Sequence, residues 1–222
     1  MNFIEVFKDA MPLLSQGFGM SIGITVRSLV LAAVIGIFAC LFTISGIKPL
    51  KWIATIYIWI IRGTPMLVQA MYIYFALPAL VKGITGERFV ISVFTASLLT
   101  LTLNAGAYMS EIFRGAIESV NRGQMEAARS LGLGYAMAMR KVILPQAVRI
   151  CLPSLVNQCI ITFKDSTILY AIGLAEVMYY AKIYVGRTMQ SLATYTIIAV
   201  FFLIITSILM VVSNRIERRL KK

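Results

Sequence analysis

The sequence predicts an all-α membrane protein with five transmembrane helices and a short cytoplasmic helix between the third and fourth spans. Of its 222 residues, 59% are hydrophobic, which is more apolar surface than a soluble domain of this length can bury. The apolar residues form long runs separated by short polar connectors. The basic residues, which give a formal net charge of +12, fall mainly in these connectors and near the C-terminus. We expect a single domain over residues 1–222.

The N-terminal segment, residues 1–18, predicts an amphipathic helix at the membrane interface. Apolar side chains recur there at helical spacing, opposite a charged face. The apolar positions are Phe3, Phe7, Met11 and Leu14. We expect Pro12 and Gly17 to turn the chain into the bilayer, where the first span covers Met20 to Thr43.

The second span, from about Trp52 to Leu80, contains a motif that predicts a broken helix. In Arg62-Gly63-Thr64-Pro65, the proline cannot donate a helical hydrogen bond and the glycine frees the backbone. A break at membrane depth exposes backbone groups that only a cavity or a protein neighbour can satisfy. We interpret the motif as the lining of a pathway, and a proline kink used only for packing is the alternative.

The third span, from about Phe89 to Ala116, carries a polar stripe. Asn104, Tyr108 and Glu111 follow the spacing i, i+4, i+7 and therefore share one helix face. An ionisable side chain at the centre of a membrane helix costs about 2.5 to 3.5 kcal/mol, so it seldom faces lipid. Glu111 either contacts a substrate or pairs with Arg62 or Arg114 as a structural clamp.

The fourth span is a short apolar run, Ile150 to Phe163, that ends at Lys164-Asp165-Ser166-Thr167. An interruption at this depth predicts a gate or pathway wall. An ion pair between Lys164 and Asp165 that ties two helices together is the alternative. The fifth span, Leu192 to Ser213, has no charge.

The distribution of basic residues predicts the orientation of the chain. Five spans place the termini on opposite sides, and a basic tail assigns the C-terminus to the cytoplasm and the N-terminus to the outside. The same count places the connector at Lys48 and Lys51 in the cytoplasm, together with residues 122–149. The tail contains Arg215, Arg218, Arg219, Lys221 and Lys222.

The longest polar interruption, Asn121 to Pro145, predicts a short surface helix. Asn121 can cap the helix with its side chain, Gln124 stands where a capping box needs it, and Gly132 and Gly134 end the helix. On pattern alone, this helix could also be a loop helix that rests on lipid headgroups.

The same stretch resembles a known signature. Glu126-Ala127-Ala128 is followed after three residues by Gly132, and after nine more by Val142-Ile143-Leu144-Pro145. This pattern resembles the EAA motif of the integral-membrane subunits of bacterial ABC importers, type I, and departs from it only at Val142. The subgroup that imports polar amino acids is similar in three further places: Arg62 to Pro65 with Gln69, Asn104 to Arg114, and Lys164 to Thr167. The last departs slightly in residue order.

The resemblance implies that Glu126, Ala127, Ala128 and Gly132 belong to a coupling helix, within residues 121–134, that docks on a cytoplasmic ABC ATPase. Two permease subunits, identical or paralogous, would enclose one route in the bacterial inner membrane. An extracellular or periplasmic binding protein would deliver the amino acid. ATP and Mg would bind to the ATPase and not to this chain. The residues we expect along the route are Thr64, Asn104, Tyr108, Glu111, Lys164 and Asp165.

Other classes of function fit the sequence less well. The chain has no histidine and no glycine-rich phosphate loop, and its three cysteines lack paired spacing. We therefore expect no enzyme, no metal site and no cofactor on this chain, and no nucleic-acid binding, because the positive charge follows the topology. An ion-coupled secondary carrier or channel, with Glu111, Lys164 and Asp165 as its charge relay, is the alternative, although it leaves the EAA pattern unexplained.

Overall fold

A computed structural model of the chain describes residues 2–220, without the side chains of residues 219 and 220. Lys221 and Lys222 of the basic tail lie outside this range. Within it the regular secondary structure is entirely helical. The helices are α1 Phe3–Ile44, α2 Lys48–Gly63, α3 Met66–Thr85, α4 Val93–Glu118, α5 Arg122–Ser130, α6 Tyr135–Ile172, α7 Val177–Thr188 and α8 Ser191–Leu220.

The first helix corrects the predicted turn near Pro12 and Gly17. α1 runs without interruption for 42 residues, with Pro12 inside it, so it is about 63 Å long at 1.5 Å per residue. Gly17 is needed for another reason, because a Cβ at this position would lie 2.6 Å from the Cα of Val177. Continuous packing against later helices keeps the chain helical through Pro12, where the local sequence favours a bend.

The N-terminal segment buries a stripe that shares only Leu14 with the predicted apolar face. The buried stripe is Val6, Ala10 and Leu14, whereas Phe3 and Phe7 are 50% and 40% exposed. This stripe joins a cluster with residues of α7 and α8, including Val177, Ala181, Tyr184, Ile197 and Ile198. The position of residues 1–18 at the membrane interface remains a prediction.

A buried carboxylate begins α7 at this same contact. Glu176 is fully buried, and its Oε1 accepts a hydrogen bond of 2.9 Å from the backbone N–H of Tyr179. Its Oε2 accepts a hydrogen bond of 3.4 Å from the hydroxyl of Ser21 on α1. The side chain therefore caps α7 and joins it to α1.

Close contacts between glycines and neighbouring side chains bring α1, α2 and α4 together. A Cβ on Gly36 of α1 would lie 2.9 Å from the Cβ of Met109. A Cβ on Gly106 of α4 would lie 3.0 Å from the hydroxyl of Tyr57, which donates a 2.7 Å hydrogen bond to the Leu103 carbonyl. Small residues at these positions let the backbones approach each other. The polar stripe of α4 is thereby held next to α2.

The helices confirm part of the predicted membrane topology. By length and apolar composition, three helices of the described range can cross a membrane: α1, α3 and residues Ser191–Arg218 of α8. α6 and α7 are bent by 53° relative to each other and add a fourth if they form one span. α2 has 16 residues, fewer than the roughly 20 that a span needs, and α4 mixes its leucines with Asn104 and several threonines. The helices alone therefore do not establish the predicted count of five.

We expect Gly36→Ala to destabilise the protein, because the added methyl group would overlap Met109 and the backbone of α4. Overpacking of this kind costs about 1 to 3 kcal/mol. The matched control is Gly19→Ala in the same helix, where an added Cβ meets nothing within 4 Å. There the loss of a glycine should be neutral or slightly stabilising. Thermal unfolding in detergent measures both, and equal midpoints would contradict the close α1–α4 contact.

Candidate functional site

The predicted break between α2 and α3 is confirmed, and side chains satisfy its free backbone carbonyls. Pro65 lacks the N–H that would pair with the carbonyl of Ile61 in a continuous helix. The amide nitrogen of Gln69 replaces it, donating to the Ile61 carbonyl at 2.7 Å and lying within 3.0 Å of the carbonyl and hydroxyl oxygens of Thr64. The Thr64 hydroxyl itself donates to the carbonyl of Ile60 at 2.8 Å. The break is therefore held in a defined conformation.

Gln69 also connects the break to α4. Its Oε1 accepts a hydrogen bond of 3.1 Å from the side-chain amide of Asn104, and both residues are buried. Thr64 and Asn104, two of the predicted pathway residues, are thus joined through a residue that was absent from the predicted site. Gln69 follows Ile61 by eight residues, more than two turns of a continuous helix, so helical spacing alone does not predict this contact. The usable signal was the sequence resemblance, which included Gln69 together with Arg62 to Pro65.

Glu111 pairs with both of the arginines that the sequence offered as alternatives. Arg114 holds it with two parallel hydrogen bonds, Nε to Oε1 at 3.0 Å and Nη2 to Oε2 at 2.9 Å. Arg62 reaches across from α2 and donates from Nη1 to Oε2 at 3.1 Å. Arg114 also binds Glu118 at 2.8 Å, so the four side chains form an electrically balanced cluster. This is the predicted clamp, and a contact of Glu111 with substrate remains a prediction.

A cavity of about 540 Å³ lies beside the cluster, within the size range of pockets that bind small ligands. The guanidinium of Arg62 lies over the ring of Tyr108, with its central carbon 5.4 Å from the ring centre. The structure therefore places Tyr108 and Glu111 on one wall. Residues that line the cavity include Thr43, Thr55, Trp59, Arg62, Tyr108 and Glu111.

Lys164 and Asp165 are not part of this cluster. They end the α-helical part of α6, which continues as a 3-10 helix over Ser166–Ile172 and stops at Gly173 with φ +93°. Among the described residues their side chains form no hydrogen bond or ion pair, so the predicted tie between two helices is not formed. The predicted interruption is a change of helix type, which keeps the backbone hydrogen-bonded.

The surface helix α5 forms where the sequence predicts it. The Asn121 side chain accepts a hydrogen bond of 2.8 Å from the N–H of Gly123, so the cap uses a different amide from the one a capping box would use. At the other end Gly132, with φ +84°, allows the N–H groups of residues 132 and 133 to bond to the carbonyls of Arg129 and Ala128. This is the Schellman ending, which favours glycine at that position. Gly134 begins α6 instead of ending α5.

Among the four predicted coupling residues, Ala128 differs from the others because it is buried. Glu126 and Ala127 are exposed, whereas Ala128 is only 5% exposed and packs against the rest of the chain. Leu131, which was not among the predicted residues, is 84% exposed. Ala128 therefore holds the helix on its own chain, and Glu126, Ala127 and Leu131 are available to a partner.

Comparison with known proteins identifies the family. Residues 33–222 match the model of the family described as the binding-protein-dependent transport system inner membrane component. The chain belongs to this family. Its place is therefore the inner membrane, and it is a transport component and not an enzyme.

Relatives match over almost the whole chain. The glutamine transport system permease GlnP of Escherichia coli K12 is 40% identical, with 96% of this chain and 94% of that protein covered. The arginine transport system permease ArtQ of Bacillus subtilis is 36% identical, with 95% and 93% covered. These relatives are permease proteins of transport systems, so they give no support to an ion-coupled carrier.

Solved structures share the fold. A crystal structure of an amino acid ABC transporter with histidines superimposes with a TM-score of 0.91 at 38% identity, and covers 99% of both chains. An inward-facing structure of the methionine ABC transporter MetNI superimposes with a TM-score of 0.74 at 21% identity, which shows likeness of fold only. The all-helical fold is therefore that of ABC transporter permeases.

We expect Gln69→Leu to destabilise the protein although the side chain keeps a similar size. The change removes the donor for the Ile61 and Thr64 carbonyls and the acceptor for Asn104. Each buried polar group left without a partner costs about 1 to 3 kcal/mol. Gln124→Leu on the exposed face of α5 is the control. Thermal unfolding in detergent is the measurement, and a midpoint of Gln69→Leu equal to that of the control would show that the break does not depend on this amide.

Proposed function

We propose that the chain is the permease subunit of an ATP-driven importer for polar amino acids. The observation that carries the proposal is the near-complete alignment with permeases named for glutamine and arginine transport. The exposed helix α5 and the polar cavity beside the broken helix are consistent with it. An ABC ATPase in the cytoplasm, an extracellular or periplasmic binding protein and a second permease subunit, identical or paralogous, complete the assembly. ATP and Mg bind to the ATPase.

The helix α5 is the proposed docking element for the ATPase. Glu126 supplies a fixed charge on the exposed face, Ala127 permits close approach and Gly132 ends the helix. Leu131 adds an exposed apolar side chain of the kind that is buried at protein interfaces. Ala128 supports docking indirectly, because it anchors the helix to the moving domain. ATP-driven closure of the ATPases then moves this helix and changes the access of the route.

The proposed route runs along the broken helix and the stripe of α4. Thr64 and Asn104 lie at the break, Tyr108 and Glu111 lie at the cavity, and Lys164 and Asp165 lie where α6 changes helix type. Support for Thr64 and Asn104 comes from their hydrogen bonds to Gln69. Support for Tyr108 and Glu111 comes from their place on the cavity wall. Lys164 and Asp165 rest on the sequence resemblance and on Asp165 being partly buried.

The proposed topology has five spans, with the N-terminus outside and the C-terminus in the cytoplasm. α1 is the first span, α2 with α3 the second, α4 the third, α6 the fourth and α8 the fifth. This assignment places the basic connector at Lys48 and Lys51, the α5 region and Arg215 on the same side, as the positive-inside rule requires.

Labelling of introduced cysteines tests the topology in a variant without the three natural cysteines. Glu87→Cys lies in the loop between α3 and α4. We expect it to react with a membrane-impermeant maleimide in cells where the reagent can reach the outer face of the inner membrane. Gly46→Cys, between α1 and α2, should react only in inverted vesicles. Both positions are exposed on the protein, so labelling depends on the side of the membrane on which each residue lies. The reverse pattern would contradict the orientation, and labelling of both from one side would contradict the span count.

We expect Glu126→Ala to reduce ATP-dependent uptake and substrate-stimulated ATP hydrolysis by about fivefold to tenfold, the effect of losing one important interface contact. Expression and thermal stability should be unchanged, because Glu126 is exposed on α5. Glu87→Ala, an exposed glutamate on the opposite side of the proposed topology, is the control. Co-purification of the ATPase with the chain is measured in parallel. Full coupling in Glu126→Ala would count against docking through this residue, and gradient-driven uptake by the isolated chain would refute an ATP-driven importer.

A further inference from the structure

Arg62 has hydrogen-bond donors that no other side chain uses. A guanidinium group carries five N–H donors. Within the described residues, Arg62 makes one hydrogen bond, from Nη1 to Glu111 at 3.1 Å. Its side chain is 42% exposed and lines the cavity of about 540 Å³. The guanidinium also contacts the ring of Tyr108, with its central carbon 5.4 Å from the ring centre, which favours this position of the side chain.

Glu111 has a second partner, Arg114, on its own helix. Arg114 binds both carboxylate oxygens of Glu111 and both of Glu118, and these four hydrogen bonds occupy most of its donors. Arg114 balances one of the two negative charges on α4, and Arg62 supplies the second positive charge of the cluster. Arg62 is the one arginine of the cluster with most of its donors unused, and planar donors of this kind match the two oxygens of a carboxylate.

The carboxylate of Glu111, which is bonded to Arg62, offers an acceptor for a positively charged group. A carboxylate has about four acceptor positions. Three are used, two on Oε2 by Arg62 and Arg114 and one on Oε1 by Arg114. One acceptor position on Oε1 therefore stays available, on the carboxylate whose other oxygen binds Arg62.

An amino acid carries a carboxylate and an ammonium group on the same carbon, so its two charges are as close together as Arg62 and Glu111 are. We propose that Arg62 binds the α-carboxylate of the transported amino acid in this cavity, and that Glu111 accepts a hydrogen bond from its α-ammonium. This inference rests on the proposed function as an amino acid permease. Trp59, which is 77% exposed, forms part of the same wall and faces the remainder of the ligand.

Recognition through the α-carbon groups makes this site common to all amino acids and insensitive to the side chain. Thr64 cannot replace Arg62 as the carboxylate donor in this conformation, because its hydroxyl proton is directed to the Ile60 carbonyl. Selection among amino acids must therefore come from other contacts or from the binding protein.

The test uses the complex of the chain with its ATPase, and measures binding of labelled L-arginine and L-glutamine. Competitors are the same amino acids and their decarboxylated counterparts, agmatine and 4-aminobutanamide. In the unmodified complex we expect removal of the carboxylate to weaken binding about tenfold to a hundredfold, the usual effect of losing a hydrogen bond to a charged group. In Arg62→Gln the amino acids should bind as weakly as their decarboxylated counterparts do to the unmodified complex. Arg62→Lys keeps the positive charge but loses the planar pair of donors. Its affinity for amino acids should lie between that of the unmodified complex and that of Arg62→Gln.

Arg88→Gln is the matched control, because Arg88 is exposed in the loop between α3 and α4 and should leave binding unchanged. Equal binding of amino acids and decarboxylated counterparts to the unmodified complex would overturn the proposal without any variant. So would unchanged amino acid binding in Arg62→Gln, and in both cases ATP-dependent uptake would still support the permease function. If the unmodified complex bound neither L-arginine nor L-glutamine, the proposed substrate class would be wrong and this inference with it.

Discussion

The satisfaction of backbone carbonyls at the break between α2 and α3 is the constraint on which the site depends. A proline removes one donor, and a region without water offers no replacement, so the chain must supply one from a side chain. Gln69 does so and, through the same amide, fixes the distance between the broken helix and Asn104 on α4. The cavity wall formed by Arg62, Tyr108 and Glu111 lies between these same two helices. A single side-chain amide therefore positions both halves of the candidate site.

The two functional regions of the chain are joined by α4. Its middle carries Asn104 and Glu111, and its C-terminal end passes through Arg114 and Glu118 into the cap of α5. α5 is itself held by Ala128 against the chain, with a defined beginning at Asn121 and a defined end at Gly132. In the proposed docking arrangement, a displacement of α5 reaches the end of α4 through only three residues, 119–121. This arrangement suits a domain whose route is moved by a partner.

Features with a local cause could be predicted from the sequence, and features set by distant packing could not. The break at Pro65 follows from a missing N–H, and the bounds of α5 follow from Asn121 and Gly132, so these predictions are confirmed. The buried stripe of the N-terminal segment depends on α7, which follows more than 150 residues later, so the sequence pattern did not identify Val6 and Ala10 as buried positions. The sequence identified the possible partners of Glu111. It could not show that both arginines bind it, because the distance between α2 and α4 depends on packing contacts such as that of Gly106 with Tyr57.

The Gln69 amide has a consequence for how the route can close. The carbonyls of Ile61 and Thr64 accept hydrogen bonds from protein and therefore need no water at the bend. A route beside it can lose its water column, as a sealed state requires, without leaving these two carbonyls unpaired. In the proposed route, these two carbonyls therefore add no desolvation cost when the water leaves.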